Sequence, residues 1–300
     1  MELDQLKLFA DLVREQSFTK VAERNFLTQP AVSLRIRNLE EELGTKLLER
    51  TTRKVLVTEE GRILYDYARD ILAKAEEVKT VLLERKDQMV GSVRLATVHS
   101  IGLHELPAYL KQYISRYPQV GLHIDYQTGD IVYRIVQEGD ADLGLVAYPE
   151  PHASLVVLPF LEDELVAICH TEHPLARREA IRLHDLNDQP FIAFDEGLPT
   201  RKAIDAVMSR RHVRINIKMQ SGNIEILKKM VEVGLGVSLV PRFSVQAEVE
   251  HGQLRSLPIS DYSFKRPLAL IHRKGKSLSR PMQAFIDLLT EGVPSPEPAA

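Results

Sequence analysis

The 300-residue chain has one cysteine, no tryptophan and no apolar run approaching the roughly 20 residues needed to cross a bilayer. Cys169 alone cannot form an intrachain disulfide, which fits a reducing compartment. The first residues include Glu2 and Asp4 and lack the basic and then apolar pattern of a secretory signal. We therefore expect a soluble, cytoplasmic protein that has no membrane partner.

Sequence motifs of common enzymes are also missing. No G-x-S-x-G, P-loop or complete G-x-G-x-x-G occurs, and Gly234-x-Gly236 is a fragment that follows a predicted helix rather than a strand. Cys169, His170 and His173 are side chains of the kind that bind metals, but they end a predicted strand and no fourth ligand is evident. We expect no catalytic residue, metal or cofactor.

The charge of the chain is unevenly distributed. The net charge is -3, so the whole protein is not a basic coat for nucleic acid, and the length favours two or three domains. Two short stretches near the N-terminus nevertheless carry cations and no acid, over residues 24–37 and 50–58. Such stretches either attract phosphates or form ordinary solvated faces.

The N-terminal residues have the pattern of a winged helix-turn-helix. Helical spacing of apolar residues predicts a helix over 4–15, and the capping residues Ser17 and Thr28 predict two more. Gly44 follows the last apolar position of the third helix and is typical of a helix end. Residues 50–57 then read as a short basic hairpin, the wing.

A long helix is predicted next, over about residues 59–87, because no proline interrupts its apolar positions. A helix of this length with a narrow apolar seam needs a partner helix. The seam either pairs with a second copy of the chain or packs on the chain's own C-terminal part. We favour the dimer and assign 59–90 to a linker and dimerisation helix.

From Gly91 onward, strand and helix patterns alternate, which predicts a largely parallel α/β sheet covered by helices. The predicted strands are 93–98, 122–126, 143–146, 155–159, 165–168, 191–194, 215–219, 237–240 and 268–271. The predicted helices are 103–116, 130–138, 200–210, 223–233 and 281–291. Residues 293–300, VPSPEPAA, have the composition of a disordered tail.

These residues, taken in order, resemble the LysR-type transcriptional regulators along nearly the whole chain. The motifs that carry the resemblance are TQPAVS at 28–33, IR-x-LEEELG at 36–44, LLER at 47–50, TE-x-G at 58–61, LP at 106–107, YP at 117–118, G-x-x-DLG at 139–144, HPL at 173–175 and VG-x-GV-x-LVP at 233–241. A helix-turn-helix match alone is weak, but the ordered set is specific.

The resemblance implies an α+β multi-domain fold and a function. It implies a winged helix-turn-helix at 1–58, the dimerising linker helix, and a bilobed α/β effector domain like the periplasmic binding proteins at 91–292. Lobe I would comprise 91–161 and 267–292, and lobe II 162–266. The protein would bind promoter or operator DNA as a homodimer, or a homotetramer, contact RNA polymerase, and respond to a small-molecule effector.

The expected DNA contacts lie at the third helix and the wing. The helix N-terminus and Thr28 would bind a phosphate, Gln29 and Ser33 would reach base edges, and the arginines would read guanine or hold the backbone. The expected set is Thr28, Gln29, Pro30, Ser33, Arg35, Arg37, Arg50, Arg53 and Lys54. Leu34-Arg35 departs from the family, which often has a polar or basic residue followed by Gln, so the operator sequence stays open.

The expected effector contacts follow the carboxyl ends of strands, where open α/β sheets bind ligands. They are Thr97, His99, Ser100, Thr128, Thr200, Arg201 and Asn223. By resemblance, Ser100, Thr128 and Thr200 match positions that commonly line the family's effector cleft. Hydroxyls and helix N-termini favour a small anion, although each hydroxyl could also be a plain helix cap. Sulfur metabolites, carboxylates and aromatic acids all remain open.

Three other functions compete with this interpretation. A binding protein with a vestigial N-terminal domain would have lost Gln29 or the cationic wing, and both are present. An enzyme on an α/β scaffold needs a cluster of acid, base or nucleophile, and none is evident. A DNA-architectural protein does not suit the acidic overall charge.

Overall fold

The computed structural model describes residues 1–50, 55–84 and 89–291. The chain divides into two compact units, residues 1–88 and residues 89–300, and each unit is described by itself. Within the described residues, no helix combines the length and the apolar character that crossing a membrane requires.

The first unit is a three-helix cluster with a two-stranded hairpin and a long helix. Its elements are α1 (Leu3–Glu15), α2 (Phe18–Arg24), α3 (Gln29–Leu43), β1 (Leu48–Arg50), β2 (Val55–Val57) and α4 (Glu59–Glu84). β1 and β2 pair antiparallel, with Glu49 opposite Leu56. The core is built from one face of each helix, and its largest fully buried side chains include Phe9, Leu12 and Ile36.

Two faces of α4 have different surroundings. Ala68 is fully buried, and Leu64 and Tyr65 pack against the core of the first unit. Ile63 and Tyr67, by contrast, are 55% and 67% exposed, and Ile71 and Val78 are also exposed. The helix therefore carries one apolar face that the first unit covers and another that it leaves uncovered.

The second unit contains a seven-stranded mixed sheet and a separate parallel pair of strands. The strands are β3 (Gly91–Val98), β4 (Val120–Gln127), β5 (Leu143–Ala147), β6 (Leu155–His170), β7 (Pro190–Phe194), β8 (Asn216–Ser221), β9 (Ser238–Pro241), β10 (Leu254–Leu257) and β11 (Phe264–Arg273). The order in the large sheet is β10-β6-β11-β5-β3-β4, and β9 also pairs with β6.

The expectation of a largely parallel sheet is wrong for this unit. β3 is parallel to β4 and β5, but β6 and β11 run antiparallel to their neighbours. The predicted strands 155–159 and 165–168 are one continuous strand, β6, and the strand β10 was not predicted. The antiparallel partner β11 pairs with β6 from Leu155 to Leu165, which keeps the residues between the two predicted strands extended.

Three groups of buried side chains lie in the second unit. The first runs from Val93 to Phe160 and resumes from Leu268 to Leu289, and the second runs from Leu165 to Phe264. A smaller third group, which includes Ala96, Val132 and Ile271, packs beside the first. β6 and β11 pass from the first core to the second, and the residue pair Glu162 and Pro267 lies at the change. We use lobe I and lobe II for the residues around the first and second cores.

Helices cover both lobes. They are α5 (Leu106–Arg116), α6 (Gly129–Gln137), α7 (Pro199–Arg210), α8 (Ile224–Glu232), α9 (Gln246–Glu250) and α10 (Arg280–Thr290). A π-helical turn, Ile101–Glu105, precedes α5, so the helix predicted from 103 begins later than expected. Gly144 lets α6 approach β5, since a Cβ there would come within 2.9 Å of side chains of Val132 and Val136.

Candidate functional site

The N-terminal end of α3 is exposed and open to a partner. Thr28 is the N-cap residue, and its carbonyl accepts a 3.1 Å hydrogen bond from the Val32 N–H. Its hydroxyl makes no capping hydrogen bond within this described helix. Gln29 and Pro30 occupy the exposed first turn. The free N–H groups of a first helical turn suit an anion such as a DNA phosphate.

The other predicted DNA contacts are distributed along α3 and the wing. Ser33 is half-buried, and Arg35 and Arg37 are exposed on opposite flanks of the solvent face. The backbone of Arg50 ends β1. Arg53 and Lys54 lie outside the described residues, so the structure gives no position for the tip of the wing.

The turn between α2 and α3 is held by backbone hydrogen bonds. Phe26 adopts a left-handed conformation, with φ of 53°, and its N–H donates to the Glu23 carbonyl at 3.2 Å. The Leu27 N–H donates to the Ala22 carbonyl at 2.9 Å. The turn at residues 25–27 therefore has a defined geometry, which sets the direction in which α3 leaves α2.

A buried carboxylate fixes the chain that follows α3. Glu40 Oε1 accepts hydrogen bonds from the N–H groups of Leu47 at 2.9 Å and Leu48 at 3.2 Å, and Oε2 pairs with Lys46 at 3.1 Å. Burial alone would raise the pKa of Glu40, but these backbone hydrogen bonds and Lys46 hold it below its ordinary value. Glu40 thus ties α3 to the start of β1, a role that sequence reasoning missed.

A second buried acid joins α1 to the turn. Asp11 pairs with Arg14 at 2.6 Å and accepts a 3.1 Å hydrogen bond from the Asn25 side-chain amide. Asn25 is the C-cap residue of α2. The position of the helix-turn-helix on α1 therefore depends on a polar contact as well as on the apolar core.

The start of α4 is held against the residues that lead into the wing. Thr58 Oγ1 donates to the Lys46 carbonyl at 2.8 Å and accepts from the Gly61 N–H at 3.0 Å. A Cβ on Gly61 would lie 2.2 Å from the Leu47 carbonyl oxygen, so no larger residue fits there without backbone movement. This close approach explains the TE-x-G motif in physical terms.

In the second unit, Ser100 lies close to the point where β6 and β11 cross from lobe I to lobe II. Its Oγ accepts a 2.6 Å hydrogen bond from Nη2 of Arg266, a β11 residue that is 1% exposed. Nη1 of Arg266 pairs with Glu105 at 2.9 Å and lies 3.6 Å from Asp163. The predicted effector residue Ser100 is therefore attached to both long strands through one guanidinium.

This cluster holds two carboxylates against one guanidinium. Burial raises the pKa of Glu105, although Arg266 opposes the shift, and burial likewise raises the pKa of Asp163. Within the described part of the chain, Glu105 Oε2 and Arg266 Nε have no hydrogen-bond partner. The sequence offered a weak signal, an arginine within an apolar strand pattern, but it was not recognised.

A second polar contact links the lobes beside α8. His104 Nε2 in the π-helical turn lies 2.9 Å from Oε1 of Glu225, and Glu225 also pairs with the buried Lys228 at 3.0 Å. Lys228 further pairs with Glu248 at 2.7 Å. Burial and then Lys228 lower the pKa of His104, while Glu225 acts in the opposite direction. The segment that follows Ser100 thus contacts the helix that follows Asn223.

Several predicted effector residues serve as helix caps or lie on the surface. Thr128 is the N-cap residue of α6, and its hydroxyl donates to Asp130 at 2.5 Å. Asn223 caps α8 by accepting from the Glu225 N–H at 2.9 Å. His99 is exposed, with its ring 6.0 Å from that of Tyr126. Thr200 is half-buried in the first turn of α7.

Two predicted contacts are positioned differently from the expectation. Thr97 is fully buried, and its hydroxyl donates to the Val98 carbonyl at 3.2 Å, so it is a core residue. Arg201 is 6% exposed and directs Nε to Asp205 and Nη1 to the Phe194 carbonyl at 2.7 Å. In this structure its charge is used inside lobe II rather than presented to a ligand.

The side chains of the CH-x-x-H stretch at 169–173 are likewise engaged in structural contacts. Cys169 is buried, and burial raises the pKa of its thiol to about 11. Nδ1 of His170 accepts from the Glu172 N–H at 3.1 Å, and Nδ1 of His173 accepts from the Leu175 N–H at 3.2 Å. Over residues 1–50, 55–84 and 89–291, no three His, Cys, Asp or Glu side chains form a group that could hold a metal.

The G-x-x-DLG motif is an ion-pair site in lobe I. Asp142 accepts from the Arg94 backbone N–H at 2.8 Å, pairs with the Arg94 guanidinium at 2.9 Å and pairs with Lys276 at 2.6 Å. Burial would raise the pKa of Asp142, but Arg94 and Lys276 hold it below its ordinary range. The motif is therefore structural and fastens β3 to the segment after β11.

Two family models match the chain and together cover almost all of it. Residues 3–62 match the helix-turn-helix of the lysR family of bacterial regulatory proteins, and residues 86–294 match the LysR substrate binding domain. These matches confirm the resemblance inferred from the sequence motifs.

Curated relatives agree with that assignment. The RuBisCO operon transcriptional regulator of Allochromatium vinosum is 32% identical over 95% of this chain and 94% of its own length. The HTH-type transcriptional activator CmpR of Synechocystis is 32% identical over 96% and 94%. The HTH-type transcriptional regulator CysL of Bacillus subtilis is 31% identical over 96% and 97%. These names confirm the expectation of a regulator rather than an enzyme.

Solved structures share the fold. Full-length OxyR of Pseudomonas aeruginosa superposes with a TM-score of 0.77 at 24% identity and covers 100% of this chain and 99% of its own. Full-length CbnR in complex with its target DNA gives 0.70 at 20% identity, covering 96% and 99%. The regulatory domain of Synechocystis CcmR, in complex with 2-PG, gives 0.62 at 28% identity and covers 68% and 99%. The chain belongs to the LysR family of bacterial transcriptional regulators.

Proposed function

We propose that this regulator binds an interrupted, dyad-symmetric operator through the α3 helices of a homodimer, and that a small anionic effector bound between lobes I and II controls its action. The observation that carries the proposal is the exposed N-terminal half of α3. Its polar residues stand beside exposed arginines, and no acid occurs between Arg24 and Leu39.

The geometry of this helix supports major-groove binding. The free N–H groups in the first turn of α3 suit a phosphate, while Gln29 can make a bidentate contact to adenine. Glu40 and Gly61 hold α3, the wing and α4 in one arrangement, so the recognition surface is preorganised rather than loose. The relative CbnR is described in complex with its target DNA, which makes the same partner a reasonable inference here.

The uncovered face of α4 supports the homodimer. Ile63, Tyr67 and Ile71 recur every four residues and are exposed, as a helix that pairs with a second copy requires. Replacing Tyr67 with Glu should shift the molecular mass measured by light scattering from dimer or tetramer towards monomer. Arg62→Ala, a change of an exposed residue off this face, should leave the mass unchanged. An unchanged mass for Tyr67→Glu would remove the support for this interface.

The residues where the two lobes meet support the proposed effector site. Ser100 and Thr128 begin segments at the carboxyl ends of β3 and β4, and the segment after Ser100 contacts α8 of lobe II. An anion bound here would contact both lobes and could favour one lobe arrangement by its differential affinity, commonly about 1–3 kcal/mol. The altered arrangement would then change DNA bending and the contact with RNA polymerase in the cytoplasm.

The DNA-binding part is tested by footprinting the intergenic DNA upstream of this protein's own gene, at near-physiological salt with competitor DNA. We expect a protected region with two half-sites and internal hypersensitive positions that report bending. Gln29→Ala should weaken the protection by about 10-fold, since one bidentate base contact is worth about 1–3 kcal/mol. Protection that is equal on unrelated DNA, or that Gln29→Ala leaves unchanged, would contradict the proposal.

The effector part is tested by calorimetric titration with 2-PG, the compound bound by the relative CcmR, followed by other small anions. Ser100→Ala and Thr128→Val should each weaken binding of an anion that the parent protein binds. The exposed serine variant Ser115→Ala, in the same lobe, is the matched control. Unchanged affinity in both hydroxyl variants would place the effector elsewhere.

A further inference from the structure

The outer face of α3 carries an unexpected apolar side chain. Val32, Ile36 and Leu39 are fully buried on the inner side of the helix. Leu34 lies two residues from both Val32 and Ile36, about 160° around the helix from each. Its side chain is 55% exposed, as this position requires. Leu34 is therefore at the middle of the surface that α3 would present to a groove of DNA.

The neighbours of Leu34 give this surface its character. Residues three and four positions away on a helix are adjacent, and here they are Pro30, Ala31, Arg37 and Asn38. Ala31 is half-buried, and the other three are exposed. A leucine exposed on its own needs no explanation, but the residues within one turn of this one are neutral or cationic, and the first acid on its face, Glu41, lies two turns further along the helix. A polyanion is the partner that fits such charges.

The major groove of DNA presents one apolar group, the 5-methyl of thymine, which apolar side chains contact. We propose that Leu34 is a specificity-determining residue that contacts a thymine methyl in each operator half-site. The inference deepens the proposed DNA binding and rests on it. It also accounts for the departure from the family pattern at Leu34-Arg35, since a leucine there replaces hydrogen-bond readout with apolar readout.

The experiment begins by selecting operators from randomised DNA with the full-length parent protein. Each thymine of the selected site is then replaced by deoxyuracil, which removes only the methyl group. We expect one thymine per half-site at which the replacement weakens binding by about fourfold, the fold-change that corresponds to about 0.8 kcal/mol for one buried carbon group. Leu34→Ala should bind the unmodified operator more weakly and lose this sensitivity to uracil.

Leu43→Ala is the matched control, because Leu43 is 41% exposed on the same helix but nine residues, or about 180°, away. It should retain the parent's sensitivity to uracil. Equal sensitivity of the parent and Leu34→Ala at every thymine would overturn the role of Leu34, as would a parent protein that is insensitive throughout. Selection that yields no specific site would instead overturn the proposed DNA binding, and the inference with it.

A further outcome concerns a protein partner. If Leu34→Ala leaves operator affinity and uracil sensitivity unchanged but abolishes a contact with RNA polymerase in a binding assay, Leu34 serves a protein surface. That result would also overturn the proposal.

Discussion

Arg266 donates a 2.6 Å hydrogen bond from Nη2 to Oγ of Ser100, and so joins strand β11 to the segment that follows strand β3. The same guanidinium pairs with Glu105 at 2.9 Å. A change at Ser100 therefore directly affects β11, a strand that belongs to both lobes. This relationship makes Arg266 a positioning residue for the proposed effector site.

Replacing Arg266 with Met should destabilise the second unit by about 3–5 kcal/mol, because two buried carboxylates lose the buried guanidinium beside them. Chemical denaturation of the full-length protein measures the change. Lys265→Met is the matched control, since Lys265 is the next residue and its side chain is 68% exposed. A similar loss of unfolding free energy in both variants would show that the buried cluster contributes no more to stability than an exposed residue.

Replacing Glu40 with Leu should destabilise the first unit by about 3 kcal/mol, because the N–H groups of Leu47 and Leu48 lose their acceptor. The exposed neighbour variant Glu41→Gln should change stability by less than about 0.5 kcal/mol. DNA affinity should fall with Glu40→Leu as the wing loosens. Unchanged unfolding and DNA affinity would contradict the role given to Glu40.

The Glu40 effect should also depend on pH. The pKa of Glu40 is lowered in the folded protein, so its ionic contribution is complete above the ordinary value of 4.5 and is lost as the pH falls through the folded-state pKa. The stability difference between the parent and Glu40→Leu should therefore be constant above pH 4.5 and shrink below it. A difference that grows as the pH falls would show the opposite sign of coupling.

Gly61→Ala should destabilise the first unit by about 3 kcal/mol, near the upper end for overpacking, because the new methyl would lie 2.2 Å from the Leu47 carbonyl oxygen. Gly44→Ala provides the comparison, since nothing lies within 4 Å of its Cβ position and only its φ of 67° is unfavourable. That variant should lose about 1 kcal/mol. Thermal unfolding of both variants separates steric overlap from backbone conformation.

His104 should make the second unit less stable as the pH falls below 6.5. Its pKa is lowered in the folded state, so the unfolded chain takes up a proton before the folded chain does. His104→Gln should flatten the stability profile below pH 6.5. Glu225→Gln should steepen it, because the carboxylate that favours the charged histidine is removed. Identical profiles in the parent and both variants would contradict this assignment.

Local patterns in the sequence predicted most of the elements. The helix-turn-helix was predicted because its caps and turns are local, and Thr28, Gly44 and Phe26 adopt the conformations that their positions suggest. Helix α4 and the lobe I helices were predicted for the same reason, apart from shifts at their ends. Arg53 and Lys54 lie outside the described residues and stay predictions.

Long-range pairing was harder to predict. β6 was predicted as two strands because its central residues, Leu161 to Glu164, are largely polar and follow Pro159. They remain extended because β11 pairs with them from about 100 residues later in the sequence. The same reason made the sheet mixed rather than largely parallel.

The site residues show a similar division. Thr128 and Asn223 were recognisable because they precede helices, whereas the setting of Arg201 depends on Phe194 and Asp205 around it. Arg266, Glu105 and His104 were missed because each contacts a partner that lies more than 100 residues away in the sequence. A single sequence carries little signal for such pairs.

The way β6 and β11 serve both cores has a consequence for how the chain folds during synthesis. The core of lobe II is complete once Phe264 has been made, but the core of lobe I still lacks Leu268, Phe285 and Leu289. A core cannot finish folding while residues that it needs are still inside the ribosome. Lobe II can therefore be packed before lobe I, whose core needs residues that are made later.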